Sequence, residues 1–500
     1  MKSFRLITNL GSTAVLAAAI VAANAQETAL PPAPSAVLAQ YGAGTAAGSG
    51  KTFHATTNFT GPGKIPVERA TTDPLPLSID DAVAFGLTRN LRLVDDRAKL
   101  EIVRGDELQV TNALVPSLSA YAATSTQEIN LAAMGFKASS LAAFGLPPGA
   151  IHTIVKVDVT EAQLRVNQTL FNAPAYELLR GAKDESDVVN LNTLAGQGDL
   201  VVAVGTAYLK VLADQSALTN AQALEKSAQT LFGQASEKLK AGVGTSLDAL
   251  RGQVEYQNRQ QQRISAENAL AKDIIQLNRI MGLPAEQQLI LTDTAPFAQL
   301  ADMDLDRAKT TAFQRRKDYL SVLAQMRVAD RERLAVKYQR LPTLSFGGFY
   351  GVIGETEGLY HGVFAATGSL KFPIFREAGQ RGDTEAITAQ LMALRQREAS
   401  LRVDIEAQIR SSMLDVNSSH DLVKVAQSNV DLAQQELSDE RDRFNAGVDD
   451  NLPVVDAEAS LAGAQAQLVQ ALYQYNTAKL QLARNTGIVE SQYRTYLGTN

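Results

Sequence analysis

The strongest constraint on the fold is an internal duplication, because repeats decide an architecture more firmly than local propensities do. Lys240-Ala241-Gly242-Val243 recurs as Asn445-Ala446-Gly447-Val448, at an offset of 205 residues. The same offset holds without a gap for four further pairs: Leu247 and Leu452, Ala266 and Ala471, Arg279 and Arg484, and Gly282 and Gly487. The chain therefore contains two related halves.

The first copy carries an insertion. Pro116-Ser117-Leu118-Ser119 matches Pro342-Thr343-Leu344-Ser345 at an offset of 226, whereas Leu170-Phe171 matches Ile374-Phe375 at 204. The difference places about 22 extra residues between Ser119 and Leu170. We therefore expect a longer loop in the first copy, at about 126–154, than in the second, at about 353–360.

Each copy is predicted to form a helix, two strands, a long helix, a turn and a helix. The expected helices span 79–115, 174–241 and 246–281, then 305–341, 376–446 and 451–486. A helix of about 70 residues is about 100 Å long, far beyond a globular core. Ile387, Leu391, Leu394 and Leu401 keep the spacing of a coiled-coil interface. An ordinary fibrous coiled coil fits this heptad pattern as well.

The predicted strands argue against a fibre. In the second copy the apolar positions alternate along two segments: Leu344, Phe346, Gly348, Tyr350 and Val352, then Phe364, Ala366, Gly368, Leu370 and Phe372. The first copy has weaker examples: Leu118, Ala120 and Ala122, then Val155, Val157 and Val159. Segments of about 10 residues with one aromatic-bearing face are typical of transmembrane barrel strands. Four strands cannot enclose a pore, since single-chain barrels begin at about 8, so closure requires several chains.

The flanking regions suggest export. Lys2 and Arg5 precede a short apolar run that ends in Ala23-Asn24-Ala25, which predicts a signal peptide at 1–25 cleaved before Gln26. Residues 26–76 are rich in Pro, Gly and Thr and are expected to be extended. The two repeats are expected at 77–282 and 305–487, with a linker at 283–304 and a tail at 488–500.

Composition excludes several classes. The chain has no Cys, so disulfides and attachment through an N-terminal lipidated Cys are excluded. Its net charge of −6 does not suit nucleic acid. The four His residues are dispersed and no H-E-x-x-H or G-x-S-x-G pattern occurs. We expect neither an enzyme nor a cofactor or metal site.

The layout from about residue 77 to 490 resembles the TolC family of outer-membrane efflux proteins. The resemblance rests on Leu77-Ser78-Ile79-Asp80-Asp81-Ala82-Val83-Ala84 before Asn90, on the two Pro-x-Leu-Ser strand starts and on the paired hairpin tips. It implies a mixed fold, with long antiparallel coiled-coil helices forming a periplasmic α-barrel and four strands per chain entering a twelve-stranded outer-membrane β-barrel. It also implies a homotrimer, with residues 283–304 and the tail as a belt around the tunnel.

The resemblance further implies a passive exit duct that spans from the outer membrane into the periplasm. Such a duct serves a tripartite efflux pump or a type I secretion system, so its partners would be outer-membrane lipid, a periplasmic adaptor and an inner-membrane transporter. The alternative is a periplasmic adaptor or coiled-coil structural protein of an export system. An adaptor would have one hairpin flanked by small β-domains, whereas two hairpins occur here.

The resemblance places an acidic periplasmic aperture after the second tip. One family aspartate falls on Asp456, another falls on Pro453, and a family arginine falls on Asp449. Asp449 and Asp450 could supply the missing acidity or be solvated turn residues. Arg251 lies 205 residues before Asp456, and we hypothesise that the two form an ion pair across the hairpins.

The hairpin tips are predicted to contact the adaptor, although turn chemistry alone explains most of their residues. The predicted contact residues are Gly242, Val243, Gly244, Thr245, Ser246 and Leu247 in the first tip, with Gly447, Val448, Asn451 and Leu452 in the second. Gly242 and Gly244 suit positive φ in a tight reversal. Ser246 is expected as the N-cap of the next helix, with Asp248 favoured in its first turn.

Overall fold

The computed structural model describes residues 73–130, 154–293, 297–300, 303–355, 358–375, 377–446 and 452–498. The elements before residue 283 are β1 (Leu75–Leu77), α1 (Ile79–Arg89), α2 (Leu91–Asn112), β2 (Ser117–Asn130), β3 (Ile154–Phe171), α3 (Ala173–Lys240) and α4 (Ser246–Met281). Those after it are β4 (Leu289–Leu291), α5 (Leu305–Arg315), α6 (Lys317–Tyr338), β5 (Thr343–Glu355), β6 (Tyr360–Lys371), α7 (Glu377–Asn445), α8 (Leu452–Asn485) and α9 (Val489–Leu497). None of the helices in these ranges has the apolar length needed to cross a bilayer.

The chain divides into two compact units. One comprises the described residues of Ile102–Ser186 and Met326–Met392 and contains the four-stranded sheet. The other comprises the described residues of Ala46–Glu101, Asp187–Gln325 and Ala393–Asn500, and contains the two-stranded sheet and most of the helical residues.

The four strands run in the order β2-β3-β5-β6, and each neighbouring pair is antiparallel. The two apolar alternations of the second copy meet on one face, because Tyr350 lies opposite Phe364 and Leu344 lies opposite Leu370. Tyr350 and Phe364 are 69% and 79% exposed. This confirms the predicted face, which a single chain leaves uncovered.

The first-copy strands differ from the expectation in two respects. Val155, Val157 and Val159 lie on the face opposite to that of Leu118, whose cross-strand neighbour is Val166. The strands are also longer than predicted, since the β2–β3 ladder continues to Asn130 and Ile154. Residues 131–153, where the longer loop is predicted, lie outside the described residues. Sequence alternation gives the period of a strand but not its register, which the partner strand sets.

The first helix of each repeat is broken, whereas the sequence predicted continuous helices over 79–115 and 305–341. Asn90 separates α1 from α2, and Arg316 separates α5 from α6. Asn90 Nδ2 donates to the Ile280 carbonyl at 2.8 Å, and Arg316 Nη1 donates to the Asn485 carbonyl at 3.4 Å. The two contacts are equivalent under the duplication. In each repeat, the residue at the break donates a hydrogen bond to the C-terminal end of the last helix of that repeat.

A glycine sits at both of these helix ends. Gly282 has φ 77° and Gly487 has φ 72°, a left-handed conformation that side chains disfavour. A Cβ atom at Gly282 would lie 2.6 Å from the Arg89 carbonyl oxygen, and one at Gly487 would lie 2.7 Å from the Arg316 nitrogen. The duplicated glycines therefore allow both the helix cap and the close approach of the broken helix.

Three short elements were missed by the sequence analysis. Strand β1 pairs in parallel with β4, and helix α9 follows the second repeat. Tyr493 Oη of α9 donates to Asp80 Oδ1 at 2.8 Å, and Tyr208 Oη lies 2.8 Å from Asp293 Oδ2. The main hydrophobic core lies in the unit that contains the two-stranded sheet. Its buried residues include Leu77, Val204, Tyr208, Leu277, Leu480 and Val489.

A buried lysine of α8, Lys479, forms a hydrogen bond with residues 297–300. Lys479 is fully buried; its Nζ donates to the Ala298 carbonyl at 3.1 Å and lies 4.5 Å from the centre of the Tyr475 ring. Tyr475 Oη accepts from the Leu300 nitrogen at 3.1 Å. Burial lowers the pKa of Lys479 to about 8.

Candidate functional site

The first hairpin turn connects α3 to α4. Gly242 has φ 74°, as predicted, and the Val243 and Gly244 nitrogens both donate to the Lys238 carbonyl at 3.0 Å. Gly244 does not have positive φ; it is required because a Cβ atom there would lie 2.9 Å from Lys238 Cβ. The prediction for Gly244 thus gave the right residue type for the wrong reason.

The N-cap of α4 is Thr245 rather than Ser246. Thr245 is extended, and its hydroxyl accepts from the Asp248 nitrogen at 3.1 Å. Ser246 is the first helical residue. The correction is one residue, because the capping hydroxyl bonds the nitrogen three positions onward, which here belongs to Asp248.

The surface of the first tip is apolar. Val243 is 79% exposed and Leu247 is 55% exposed, and Leu250 and Val254 continue the exposed apolar residues along α4. Inside the hairpin, the Phe232 and Tyr256 rings stack with centroids 6.3 Å apart. A Cβ atom at Gly252 would lie 3.2 Å from Phe232 Cα, so small residues permit close packing there.

Most of the second tip lies outside the described residues. This applies to Gly447, Val448, Asp449, Asp450 and Asn451, while α8 begins at Leu452. Asp456 and Arg251 are both exposed. Within the described part of one chain, no ion pair joins Arg251 to Asp456, so the structure does not bring these two predicted aperture residues together.

A different carboxylate connects the two hairpins. Glu458 of α8 accepts a hydrogen bond from the Ser227 hydroxyl of α3, in the other hairpin. It also accepts from Arg441 Nη2 of α7 at 3.0 Å. The Glu458 side chain is 22% exposed, so solvent only partly screens this bridge.

Sequence reasoning missed Glu458 although a signal was present. The duplication aligns it with Gln253, so a carboxylate occurs at this position in the second copy alone. The family resemblance points to Asp456 instead, because a family aspartate falls on that position. The partner Ser227 is 231 residues away in sequence, and only the fold shows that it faces Glu458.

Packing in the second hairpin uses small and β-branched side chains. Two buried clusters line the α7–α8 contact: Val430, Ala433 and Ala464, and nearer the tip Leu437, Val454 and Ala457. Side chains of this size let two long helices lie close along their length. The two helices are therefore closely packed along this contact, and Glu458 provides a polar bridge to the other hairpin.

Two long helical hairpins, connected by a polar bridge near their ends, and a sheet with an uncovered apolar face define a channel protein of the outer membrane. The chain belongs to the outer membrane efflux protein family, whose sequence pattern matches residues 86–283 and 309–488. Its location is the outer membrane, with extension into the periplasm.

Known relatives agree with this assignment. The chain is 26% identical over 347 residues to the alkaline protease secretion protein AprF of Pseudomonas aeruginosa, covering 65% of this chain and 69% of the relative. It is 23% identical over 350 residues to the outer membrane protein TolC of Vibrio cholerae, covering 67% and 78%. The CmeC outer membrane channel of Campylobacter jejuni has a similar fold, with a TM-score of 0.69 at 13% identity, over 82% of this chain and 86% of that chain.

Proposed function

We propose that three copies of the chain form a passive exit duct, in which each copy gives four strands to a twelve-stranded barrel and its long helices to a periplasmic tunnel. The observation that carries this proposal is the four-stranded sheet. In the described part of one chain, β2 and β6 each have one hydrogen-bonded neighbour, so the sheet has two open edges. Its face with Tyr350 and Phe364 is apolar and exposed.

Lipid makes both features unfavourable in a single chain. Unpaired backbone groups at a sheet edge cost several kcal/mol each in hydrocarbon, so spanning sheets are closed. Pairing β6 of one copy with β2 of the next would satisfy both edges and turn the apolar face toward lipid. Three copies supply the twelve strands that the family resemblance implies. The repeats at 77–282 and 305–487, with the linker at 283–304, are the units that we propose each copy contributes.

The proposal predicts a conducting trimer. Detergent-solubilised protein should have the mass of three chains by light scattering with detergent correction, and it should form channels in planar lipid bilayers. Both results are expected because only a closed ring satisfies the strand edges. A stable monomer with native secondary structure, or a trimer without conductance, would contradict the exit duct.

The periplasmic entrance is the proposed gate. Glu458 links the two hairpins of one chain through its hydrogen bond with Ser227. Loss of this hydrogen bond would let the hairpins move apart. Acidic rings from Asp456, with Asp449 and Asp450, would attract cations to the mouth, because threefold symmetry repeats each carboxylate around the axis. The Glu458 bridge and these rings have separable effects, on opening and on ion selectivity.

Glu458→Ala should increase the open fraction of single channels. The substitution removes a hydrogen bond from Ser227 and an ion pair with Arg441, worth about 1 kcal/mol per chain, and three chains multiply the effect. Single-channel recording measures the open fraction. The matched control is Asp456→Ala, two residues away and exposed, which should alter cation selectivity instead. An open fraction that Glu458→Ala leaves unchanged would exclude the bridge as a closing contact.

The hairpin tips are the proposed site of adaptor binding. Val243 and Leu247 present apolar surface at the end of the first hairpin, which suits the coiled-coil tip of a periplasmic adaptor. Through this adaptor the duct would receive cargo from an inner-membrane transporter, in a tripartite efflux pump or a type I secretion system. The name of the AprF relative, a protease secretion protein, is compatible with the second.

A further inference from the structure

One face of the sheet carries a connected row of polar side chains. Gln163 Nε2 donates to Glu161 Oε2 at 2.5 Å, and Arg165 Nε donates to Gln163 Oε1 at 2.9 Å. The Arg165 guanidinium lies 3.7 Å from the centre of the Tyr121 ring on β2. The amide of Gln163 thus joins a carboxylate at one end to a guanidinium at the other, and we call Glu161, Gln163 and Arg165 the polar ladder.

The ladder is held flat against the sheet. Gln163 is only 6% exposed, although its neighbours Ala162 and Leu164 are exposed. Its position opposite Gly351 of β5 explains this, because a Cβ atom at Gly351 would lie 2.9 Å from Gln163 Cγ. The Arg165 side chain is additionally restrained by the cation–π contact with Tyr121. The Gln163 amide contacts the Glu161 carboxylate and the Tyr121 ring contacts the Arg165 guanidinium, so both charged groups have a partner on the sheet.

The opposite face at the same level is apolar. Ala162 lies opposite Val352 and Ala122, and Leu164 lies opposite Tyr350 and Ala120. An arginine that faces lipid near the middle of a barrel costs about 2–4 kcal/mol, and a glutamate costs less. In the proposed barrel, the ladder therefore faces the lumen.

We infer that Glu161 and Arg165 set the charge selectivity of the barrel lumen. This inference rests on the proposed trimeric duct, in which threefold symmetry makes one ring of three carboxylates and one ring of three guanidinium groups. The two hydrogen bonds through the Gln163 amide bring Glu161 Oε2 within about 8 Å of Arg165 Nε. This distance is shorter than the screening length of about 10 Å at 0.1 M salt, so a passing ion senses both rings and their charges partly cancel. The paired rings oppose each other, and neutralising one exposes the charge of the other.

The test is the reversal potential of single channels in a KCl gradient. Arg165→Gln should shift selectivity toward K⁺ and Glu161→Gln toward Cl⁻, each by roughly twofold or more at 0.1 M salt, with smaller shifts at 1 M. The double variant should return close to wild type. Shifts of opposite sign support the assignment, since a general folding defect cannot produce them.

A second measurement tests the face directly. The chain has no Cys, so Ser119→Cys and Ala120→Cys each introduce a single thiol. Ser119 lies opposite Arg165, and Ala120 lies opposite Leu164 on the other face. A charged, membrane-impermeant methanethiosulfonate should change the conductance of Ser119→Cys but not of Ala120→Cys. The reverse pattern, or conducting variants whose selectivity shifts are absent or equal in sign, would overturn the inference alone. Absence of conductance in the wild type would overturn the duct together with it.

Discussion

Gly487→Ala is expected to lower the stability of the protein by at least about 2 kcal/mol, the combined cost of left-handed backbone and steric overlap. Gly487 has φ 72°, and a new Cβ atom would lie 2.7 Å from the Arg316 backbone nitrogen. Relief would require moving the break between α5 and α6, which also carries the contact from Arg316 to the Asn485 carbonyl. The apparent melting temperature of the detergent-solubilised protein, followed by circular dichroism, measures the loss.

Two further glycine substitutions test this prediction: Gly282→Ala at the equivalent position of the first repeat, and Gly463→Ala within α8 as a control. Gly282→Ala should have an effect of similar size, because its Cβ atom would lie 2.6 Å from the Arg89 carbonyl oxygen. Gly463→Ala should be neutral or stabilising by about 0.5–1 kcal/mol, since Ala favours a helix interior and nothing lies within 4 Å of the new atom. If Gly487→Ala melted at the wild-type temperature, the close packing at the helix breaks would not be important for stability.

Lys479→Met is expected to stabilise the protein at pH 7. The folded-state pKa of Lys479 is about 8, whereas an unfolded lysine has a pKa near 10.4. The difference corresponds to a penalty of about 3 kcal/mol for keeping the charged form buried at neutral pH. Methionine removes the charge. The Ala298 carbonyl retains the Tyr475 hydroxyl at 3.3 Å, so loss of the lysine donor offsets only about 1 kcal/mol of the gain.

The penalty for burying charged Lys479 depends on pH, and its direction of change can be tested. Between about pH 8 and pH 10.4 the unfolded state binds more protons at Lys479, so wild-type stability should rise with pH in that window. Below pH 8 the lysine is charged in both states and the full penalty applies. The difference in melting temperature between Lys479→Met and wild type should therefore shrink from pH 7 to pH 10. Lys424→Met, at a side chain 63% exposed, is the control and should change little. A lower melting temperature for Lys479→Met at pH 7 would show that the lysine contacts outweigh its desolvation.

The sequence predicted the features that repeat over many residues. The duplication, the long hairpins and the apolar face of β5 and β6 all follow from periodicity. The helix breaks at Asn90 and Arg316 do not follow from periodicity, because neither residue is Gly or Pro. Each break is accompanied by a hydrogen bond to a carbonyl about 170–190 residues away in sequence. Elements as short as β1 and β4 have too few residues to show a period.

The candidate site was predictable only in part. The turn at Gly242 follows from local backbone chemistry, and its position was correct. The N-cap was misplaced by one residue because Thr245 and Ser246 are both good caps, and only the geometry distinguishes them. The role of Glu458 could not be predicted, because it depends on which helix of the other hairpin lies beside α8. Such side-chain pairings are properties of the packed fold, which local sequence does not encode.

The open edges of the four-stranded sheet bear on biogenesis. In the described part of a single chain, β2 and β6 each have one open edge, and these edges remain templates for any exposed strand until the correct neighbours arrive. Since an open sheet is not viable in hydrocarbon, the proposed trimeric barrel makes insertion and assembly a single event for this chain. The yield of inserted protein then depends steeply on the local supply of chains. A shortage of subunits would leave aggregation-prone intermediates in the periplasm, not half-built pores in the membrane.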